Sequence, residues 1–319
     1  MSAPRRYTQS ERGTWLRCRR KWWFGYYRRL QHRVVLPKEA LDIGNVVHDV
    51  LADGYASNWD IDLKSTLYWH QVALEDRYGD GKAVDQIMDY ANLIVRGYLE
   101  WVTETGADAA LEVVAPERVI EVPIELPRAN RPTALLGKVD LTARRLDLNG
   151  ALTFLDHKVV GDLTSFPKWA HVAPQMLFYH LLHRLEAPDE TQIESGTYNM
   201  LRRTKRTVRA KPPFYKRFDV HHGAEQLRTF YQVTIALFDE IEHVEQMLDR
   251  GASDLVLCPP SPQEDCYWSC EFFAACSMRD EDSDYEGYLA DVFDVGDPLE
   301  RYRNGGTDAV STAEDAHPR

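Results

Sequence analysis

Apolar residues recur at helical spacing in several long stretches of the chain. The stretch 41–55 predicts an amphipathic helix, and 63–105 predicts a longer helical region that breaks near Gly79-Asp80-Gly81. The stretches 169–185 and 224–250 predict two more helices. The apolar stripe of the first helix comprises Ile43, Val46, Val47, Val50 and Leu51.

Strand-like patterns occupy the middle of the chain. Alternating segments at 133–146 and 151–159 enclose the turn signal Asp147-Leu148-Asn149-Gly150, which predicts a hairpin. Strands are also expected within 111–126, at 195–201 and at 214–220. The predicted order of elements is helix, three antiparallel-looking strands, helix and strand. This order indicates an α/β fold with a mixed central sheet flanked by helices.

The two ends of the chain differ from this middle part. Residues 8–30 predict an aromatic and basic helix that is apolar nearly all round, so other parts of the protein must cover it. Residues 301–319 lose periodicity and are expected to be disordered. We expect four regions: an N-terminal segment at 1–40, a core at 41–250, a cysteine-containing region at 251–300, and the tail.

The composition indicates a packed globular protein, with 44% hydrophobic and 11% aromatic residues. No apolar run approaches the roughly 18 residues of a membrane span, and the first residues do not resemble a secretory signal. A cytoplasmic location is therefore expected, and the excess of Arg over Lys hints at a GC-rich bacterial or phage genome.

Charge is distributed unevenly along the chain, whose net charge is −12. Residues 1–38 contain eleven Lys or Arg against one acid, and residues 202–217 contain eight against none. A charge run is usually a solvated face. Two concentrated basic stretches on an acidic protein nevertheless suggest local contact with nucleic acid.

Two carboxylates and an ammonium lie on the predicted hairpin. Asp156 and Lys158 are two residues apart, so they share one face of their strand. A two-residue Asn149-Gly150 turn would direct Asp140 to the other face. A three-residue loop, with Gly150 in the left-handed conformation, would pair 140 with 158 and place all three groups together. We expect the three-residue loop, because only that geometry allows a shared metal.

Such a group can bind a divalent cation through hard oxygen ligands. The cation can activate water, and Lys158 can stabilise the oxyanion. An ordinary surface hairpin can also carry Asp and Lys. Here, however, both carboxylates follow apolar strand segments, where charges are costly unless they are paired or bind something.

Five cysteines, an odd number, form a poor disulfide framework. Cys266, Cys270 and Cys276 fall within eleven residues, which favours a metal or cluster site over buried free thiols. Four thiolates suit either Zn²⁺ or an iron–sulfur cluster.

Four short motifs occur in order: Gly44-x3-His48, Gly137-x2-Asp140, Asp156-x-Lys158 and Gln175-x3-Tyr179. Over roughly 10–276 the chain thereby resembles the RecB-like branch of the PD-(D/E)xK nuclease superfamily. The resemblance implies that His48, Asp140 and Asp156 bind Mg²⁺ or Mn²⁺ and that Lys158 is catalytic. It also implies that Gln175 and Tyr179, on one helix face, contact DNA. His157 should point to the opposite face, without a side-chain role.

The cysteines resemble those of iron–sulfur members of this family, including the AddB-type and CRISPR-associated exonucleases. The resemblance implies that Cys18, Cys266, Cys270 and Cys276 bind a [4Fe-4S] cluster of structural role. The usual spacing is C-x2-C-x5-C, and this chain has one residue more between the first two cysteines. Cys258 is a less favoured substitute, and Zn²⁺ a less favoured metal.

Taken together, these features predict a single-strand-preferring, metal-dependent DNA exonuclease of recombination, repair or phage DNA processing. The alternative is a DNA-binding recombination or CRISPR-adaptation accessory protein with a vestigial nuclease site. A recombination partner protein is conceivable under either hypothesis. Basic residues near aromatic ones are expected to hold the strand, and the expected contacts are Arg19, Arg20, Lys21, Arg202, Arg203, Lys205 and Arg206.

Overall fold

The computed structural model describes residues 3–79, 81–187 and 193–303. The predicted disorder at 301–319 falls almost entirely outside these ranges. The described residues form two compact units. The first contains the residues up to Val35, Glu121–Leu136 and Arg228–Arg303, and the second contains Leu36–Ile120 and Gly137–Leu227. No helix in the described ranges is both long and apolar enough to cross a membrane.

Three helices open the second unit, as the sequence predicts. They are α3 (Glu39–Ala56), α4 (Leu63–Tyr78) and α5 (Lys82–Thr105). Helices α4 and α5 end at Gly79 and Gly106, whose positive φ angles of 81° and 65° suit glycine. The apolar stripe of α3 packs in one core with α5 and with the sheet residues Leu141, Leu155 and Leu201.

The sheet of the second unit is mixed, which confirms the predicted α/β architecture. Strand β5 (Ala151–Val160) pairs antiparallel with the second half of β4 (Thr133–Arg145) and parallel with β6 (Ile193–Arg202). Strand β7 (Tyr215–Val220) pairs antiparallel with β6. Strand β3 (Leu111–Ile124) precedes them and pairs with β4.

Helix α6 (Pro174–Glu186) connects the parallel strands β5 and β6. It begins five residues later than the sequence predicts. The residues before it form two short 3-10 turns, Phe166–Lys168 and Ala170–Val172. Pro174 then occupies the first turn of α6, where its missing N–H costs nothing.

The hairpin between β4 and β5 differs from the predicted three-residue loop. Arg145 pairs with Ala151 and Leu141 pairs with Leu155, so the connection contains five residues. Leu146–Leu148 form a 3-10 turn, and both Asn149 and Gly150 have positive φ. The predicted register of 140 with 158 is therefore wrong. Extended one residue past Leu141 and Leu155, this register sets 140 opposite 156, so the two aspartates still lie on one face.

The first unit contains both ends of the described chain. Strand β1 (Arg5–Tyr7) pairs parallel with Thr133–Leu135 of β4, and β2 (Leu30–His32) pairs antiparallel with β8 (Phe293–Val295). Most of α7 (Ala224–Asp249) belongs here. Four short helices follow: α8 (Asp254–Leu257), α9 (Cys266–Ser269), α10 (Phe273–Asp280) and α11 (Tyr285–Val292).

The single helix predicted at 8–30 is wrong. Helix α1 (Gln9–Arg17) ends at Cys18, α2 (Arg19–Trp22) begins after it, and a π-helical turn at Trp23–Tyr27 follows. Cys18 interrupts the helix because its backbone is extended and its sulfur accepts a hydrogen bond from the Lys21 N–H. The expectation that this aromatic stretch is covered is confirmed by the buried side chains of Trp15, Trp22, Trp23 and Phe24.

Candidate active site

Asp140 lies at the point where β4 and β5 separate. One of its carboxylate oxygens accepts a hydrogen bond of 2.7 Å from the backbone N–H of His157. The same oxygen lies 3.4 Å from Nδ1 of His48 on α3. The structure therefore brings together two of the three metal ligands that the sequence predicts.

Electrostatics keeps the carboxylate of this pair charged. Burial by itself would raise the pKa of Asp140, but His48, His157 and Lys158 together hold it well below its ordinary value. Burial would lower the pKa of His48, yet the facing carboxylate of Asp140 raises it. The Asp140 carboxylate is therefore a permanent anion at neutral pH, which suits a hard cation.

Glu117 on β3 joins this pair, and sequence reasoning missed it. Ligand atoms of His48, Glu117 and Asp140 all lie within 4.8 Å of one another. The Glu117 carboxylate also forms an ion pair with Lys138. Its backbone has a φ of 47°, which is rare outside glycine and costs on the order of 1–3 kcal/mol. Such strain concentrates at functional sites.

Asp156 is fully buried beside this group. Burial raises its pKa to about 6, although Lys158 partly opposes the shift. Lys158 Nζ lies 2.8 Å from one carboxylate oxygen, but neither oxygen receives a hydrogen bond of acceptable geometry. A buried carboxylate with one ammonium partner and with His48 and Asp140 close by can supply a further oxygen ligand to a divalent cation.

Lys158 is held by helix α6. Its Nζ donates to Oε1 of Gln175 at 2.9 Å, and Nε2 of Gln175 donates to the Tyr179 hydroxyl at 3.0 Å. These hydrogen bonds place Gln175 and Tyr179 on one face of α6, next to Lys158. Tyr179 is mostly buried, so Gln175 is the more accessible of the two.

Gly137 explains how α6 comes so close. A Cβ at this position would overlap the Leu182 side chain and lie 3.6 Å from the Tyr179 ring. Glycine in the Gly-x2-Asp motif therefore allows the helix to approach the strand that carries Asp140.

His157 points to the other face of the sheet, as the sequence predicts. Its ring lies parallel to that of Tyr55, with centroids 5.8 Å apart, and its Nδ1 is 2.8 Å from Nδ2 of Asn199. Burial lowers its pKa to about 3, so the ring is neutral. The role that sequence reasoning missed belongs to the backbone, whose N–H binds Asp140.

The three basic residues predicted near the N-terminus have acidic partners within the first unit. Arg19 pairs with Glu240 and Lys21 pairs with Glu271. Arg20 is buried, pairs with Asp280, and lies 3.6 Å from the sulfur of Cys276. Acidic side chains of the first unit therefore compensate the positive charge of these three residues.

The basic segment at 202–217 is more open. It leaves β6 directly beside the end of β5, because Arg202 pairs with Val160, two residues beyond Lys158. Arg203 pairs with Glu39 at the start of α3. Lys205 and Arg206 are exposed and line a groove of about 950 Å³ against α5. The Arg206 guanidinium stacks on Phe214 at 3.5 Å.

The cysteines all belong to the first unit. The sulfur of Cys18 accepts a hydrogen bond from the N–H of Ser261, 243 residues away, at 3.5 Å. The charge of Cys18 also contributes to the raised pKa values of Cys258, Cys270 and Cys276, behind burial as the main cause. Among the described residues, no three cysteine sulfurs lie within 4.8 Å of one another.

The two candidate metals require different distances between the sulfurs. Tetrahedral Zn²⁺ with Zn–S bonds of about 2.3 Å would require its sulfurs to lie roughly 3.8 Å apart. The sulfurs as placed do not form such a site. In a [4Fe-4S] cluster each cysteine binds a different iron atom, so the sulfurs stand farther apart.

Comparison with known proteins identifies the family of the chain. No curated protein matches the chain by sequence. Two solved structures are similar to it: SSO0001 (15% identity, 74% of this chain and 94% of that chain, TM-score 0.32) and LHK-Exo in complex with dAMP (13% identity, 68% and 97%, TM-score 0.30). The family model of the PD-(D/E)XK nuclease superfamily matches residues 6–277. The chain therefore belongs to the PD-(D/E)XK nuclease superfamily.

Proposed function

We propose that this protein is a metal-dependent DNA exonuclease of the RecB-like branch, with a preference for single strands. The observation that carries the proposal is the buried carboxylate of Asp156. It is fully buried, the ammonium of Lys158 lies 2.8 Å from one of its oxygens, and the charges of Asp140 and His48 act on it. A buried carboxylate is costly unless it is paired or binds a cation, and the ammonium of Lys158 lies close to one of its two oxygens.

Each residue of the candidate site has a separate role in this proposal. His48, Glu117, Asp140 and Asp156 would hold Mg²⁺ or Mn²⁺. A cation bound there would polarise the scissile phosphate and lower the pKa of a bound water. Lys158, fixed by Gln175, donates hydrogen bonds toward the charge that develops on the phosphate. The backbone N–H of His157 keeps the Asp140 carboxylate in place.

The substrate strand would reach this site along the basic segment at 202–217. Lys205 and Arg206 supply charge for phosphates, while Tyr90, Trp101 and Phe214 supply aromatic surface in the same groove. Charge with stacking holds single strands without reading their sequence. Arg19, Arg20 and Lys21 could contribute only by leaving their acidic partners, so we assign the main contact to the second basic segment.

We also propose a structural [4Fe-4S] cluster in the first unit. The hydrogen bond between Cys18 and Ser261 supports it, because the N-terminal cysteine already contacts the C-terminal cysteine region. Cys18, Cys270 and Cys276 are three of the ligands. Cys266 and Cys258 compete for the fourth position, since Cys258 is buried and close enough to Cys18 for that sulfur to contribute to its raised pKa.

A nuclease assay tests the proposal. The protein is incubated with Mg²⁺ or Mn²⁺ and one of three substrates. These are linear single strands labelled at either end, the same strands with blocked ends, and circular single strands. We expect metal-dependent loss of one end label and no cutting of circles. DNA binding without cleavage under all metals would instead indicate the accessory role of a vestigial site, and cutting of circles would indicate an endonuclease.

A further inference from the structure

The connection between β5 and α6 carries an exposed tryptophan. It spans 161–173 and joins the strand of Lys158 to the helix of Gln175, so both of its ends belong to the candidate active site. Trp169 in this connection is 47% exposed. Its neighbour Lys168 is exposed as well. About half of the surface of this indole is therefore open to a ligand.

Ring contacts connect this tryptophan to the buried carboxylate. Trp169 packs edge-on against Phe166, with ring centroids 4.9 Å apart. Phe166 packs edge-on against the buried ring of Tyr198, with centroids 4.7 Å apart. Tyr198 is the direct partner of Asp156 in the parallel pairing of β5 and β6. The exposed indole is thus two ring contacts from a residue adjacent to Asp156.

The connection is held in place, although it contains no long helix or strand. Asp162 accepts hydrogen bonds from the backbone and hydroxyl of Ser165, at 2.9 and 2.6 Å. The carbonyl of His171 accepts one from Gln226 at 3.1 Å. The side chains of Leu163 and Ala170 are buried. The indole is therefore presented on a fixed support, which reduces the entropy lost when a flat ligand stacks on it.

We propose that Trp169 stacks on a nucleobase of the single strand whose phosphate lies at the active site. This inference rests on the proposed function and names the residue that places the strand. Single strands are held by cations for phosphates and aromatic faces for bases, and Lys168 and Trp169 supply one of each. Because every base has a π-face, the contact favours unpaired strands without selecting a sequence.

The test compares Trp169→Ala and Trp169→Phe with Trp69→Ala in steady-state cleavage of single-stranded DNA. Trp69, on α4 and 45% exposed, serves as the matched control. We expect Trp169→Ala to raise KM by about 5- to 150-fold, the usual effect of removing one base–aromatic stack, with little change in kcat. Trp169→Phe should retain most of the affinity, and Trp69→Ala should behave as wild type.

Abasic substrates separate stacking from a purely structural role. A single abasic nucleotide is moved stepwise across the positions that flank the cleaved bond. One position should raise KM for the wild type and have no further effect on Trp169→Ala, because the two partners of one contact are not additive. Additive effects at every position, or a wild-type KM for Trp169→Ala, would overturn the inference. Wild-type protein that cleaves no DNA would overturn the proposed function instead.

Discussion

The carboxylate of Asp140 accepts a hydrogen bond from the backbone N–H of His157, on the strand beside it. The donor is the main chain, so the contact does not depend on the side chain at position 157. It forms just beyond the last paired residues, Leu141 and Leu155, where the two strands separate and a ladder hydrogen bond is lost. The Asp140 carboxylate thereby takes the place of a ladder partner.

Replacing Lys158 tests the catalytic assignment. Lys158→Ala should lower kcat by about 100-fold or more, because it removes a donor to the developing charge, while the Kd for single-stranded DNA changes little. Lys64→Ala, an exposed lysine on α4, is the control. The measurement is single-turnover cleavage with binding measured in Ca²⁺. Full activity of Lys158→Ala would rule out the proposed mechanism.

Glu117 should prove to be a metal ligand. Glu117→Gln keeps the size of the side chain and removes its charge, so Mn²⁺ affinity should fall about tenfold or more. Calorimetric titration of the protein with Mn²⁺ measures this. Glu112→Gln, an exposed position on the same strand, should bind as wild type. Equal affinity in both variants would confine Glu117 to its ion pair with Lys138.

Asp156→Asn should stabilise the metal-free protein while abolishing cleavage. The pKa of Asp156 is raised to about 6 in the folded state, above its ordinary value of about 3.9. The folded protein therefore binds this proton more tightly than the unfolded chain, and stability falls as pH rises from about 4 to about 6. Above that window the asparagine variant should gain on the order of 3 kcal/mol.

Thermal melts at pH 5 and pH 8, with EDTA and with Mn²⁺, measure this effect. The gain should be larger at pH 8, and Mn²⁺ should raise Tm of the wild type only. Asp60→Asn, at an exposed site, should change neither value. A loss of stability on replacing Asp156 at pH 8 would contradict the account.

Activity should fall on the acid side of about pH 6 at low metal concentration. Protonation of Asp156 removes a ligand, and its raised pKa places that step near pH 6 in the metal-free protein. Metal and proton compete for the carboxylate, so higher Mn²⁺ should move the acid limb to lower pH. Profiles of kcat/KM against pH at two Mn²⁺ concentrations test this. An acid limb at the same pH for both concentrations would contradict the prediction.

Iron content should distinguish the two candidates for the fourth cluster ligand. Cys258→Ser and Cys266→Ser are purified without oxygen, and iron and sulfide are measured together with absorption near 400 nm. We expect loss of the cluster in Cys266→Ser and retention in Cys258→Ser. The reverse pattern would assign Cys258 as the ligand. Zinc without iron in the wild type would refute the iron–sulfur proposal.

The sequence predicts the helices and strands of the second unit well, because their apolar periodicity reflects a single core. The break at Gly79 and the mixed sheet follow from glycine chemistry and from strand order. The loop after Arg145 could not be predicted, since Asn149 and Gly150 both tolerate positive φ and so suit several loop lengths. The observed pairing register of β4 and β5 differs from the predicted one by two residues. Because this shift is even, Asp140 and Asp156 remain on one face of the sheet.

Glu117 could not be predicted, because an acid in a strand-like stretch has no distinguishing pattern. Its role depends on the irregular backbone of β3 and on the neighbouring strand. The basic residues around Cys18, in contrast, do have a distinguishing pattern, but the pattern leaves out their partners. Their pattern suggests nucleic acid, but charge patterns along a chain do not reveal acidic partners such as Glu240, which lies 221 residues from Arg19.

The hydrogen bond between Cys18 and Ser261 also affects the order of folding during synthesis. Ribosomes add about 5–20 residues per second, so the 243 residues between these partners take roughly 10–50 s to appear. Throughout that time Trp15, Trp22 and Phe24 lack the C-terminal residues of their unit. A nascent chain with three unburied large aromatic rings at its leading end is a substrate for chaperones. Efficient production of this protein should therefore depend on chaperone supply.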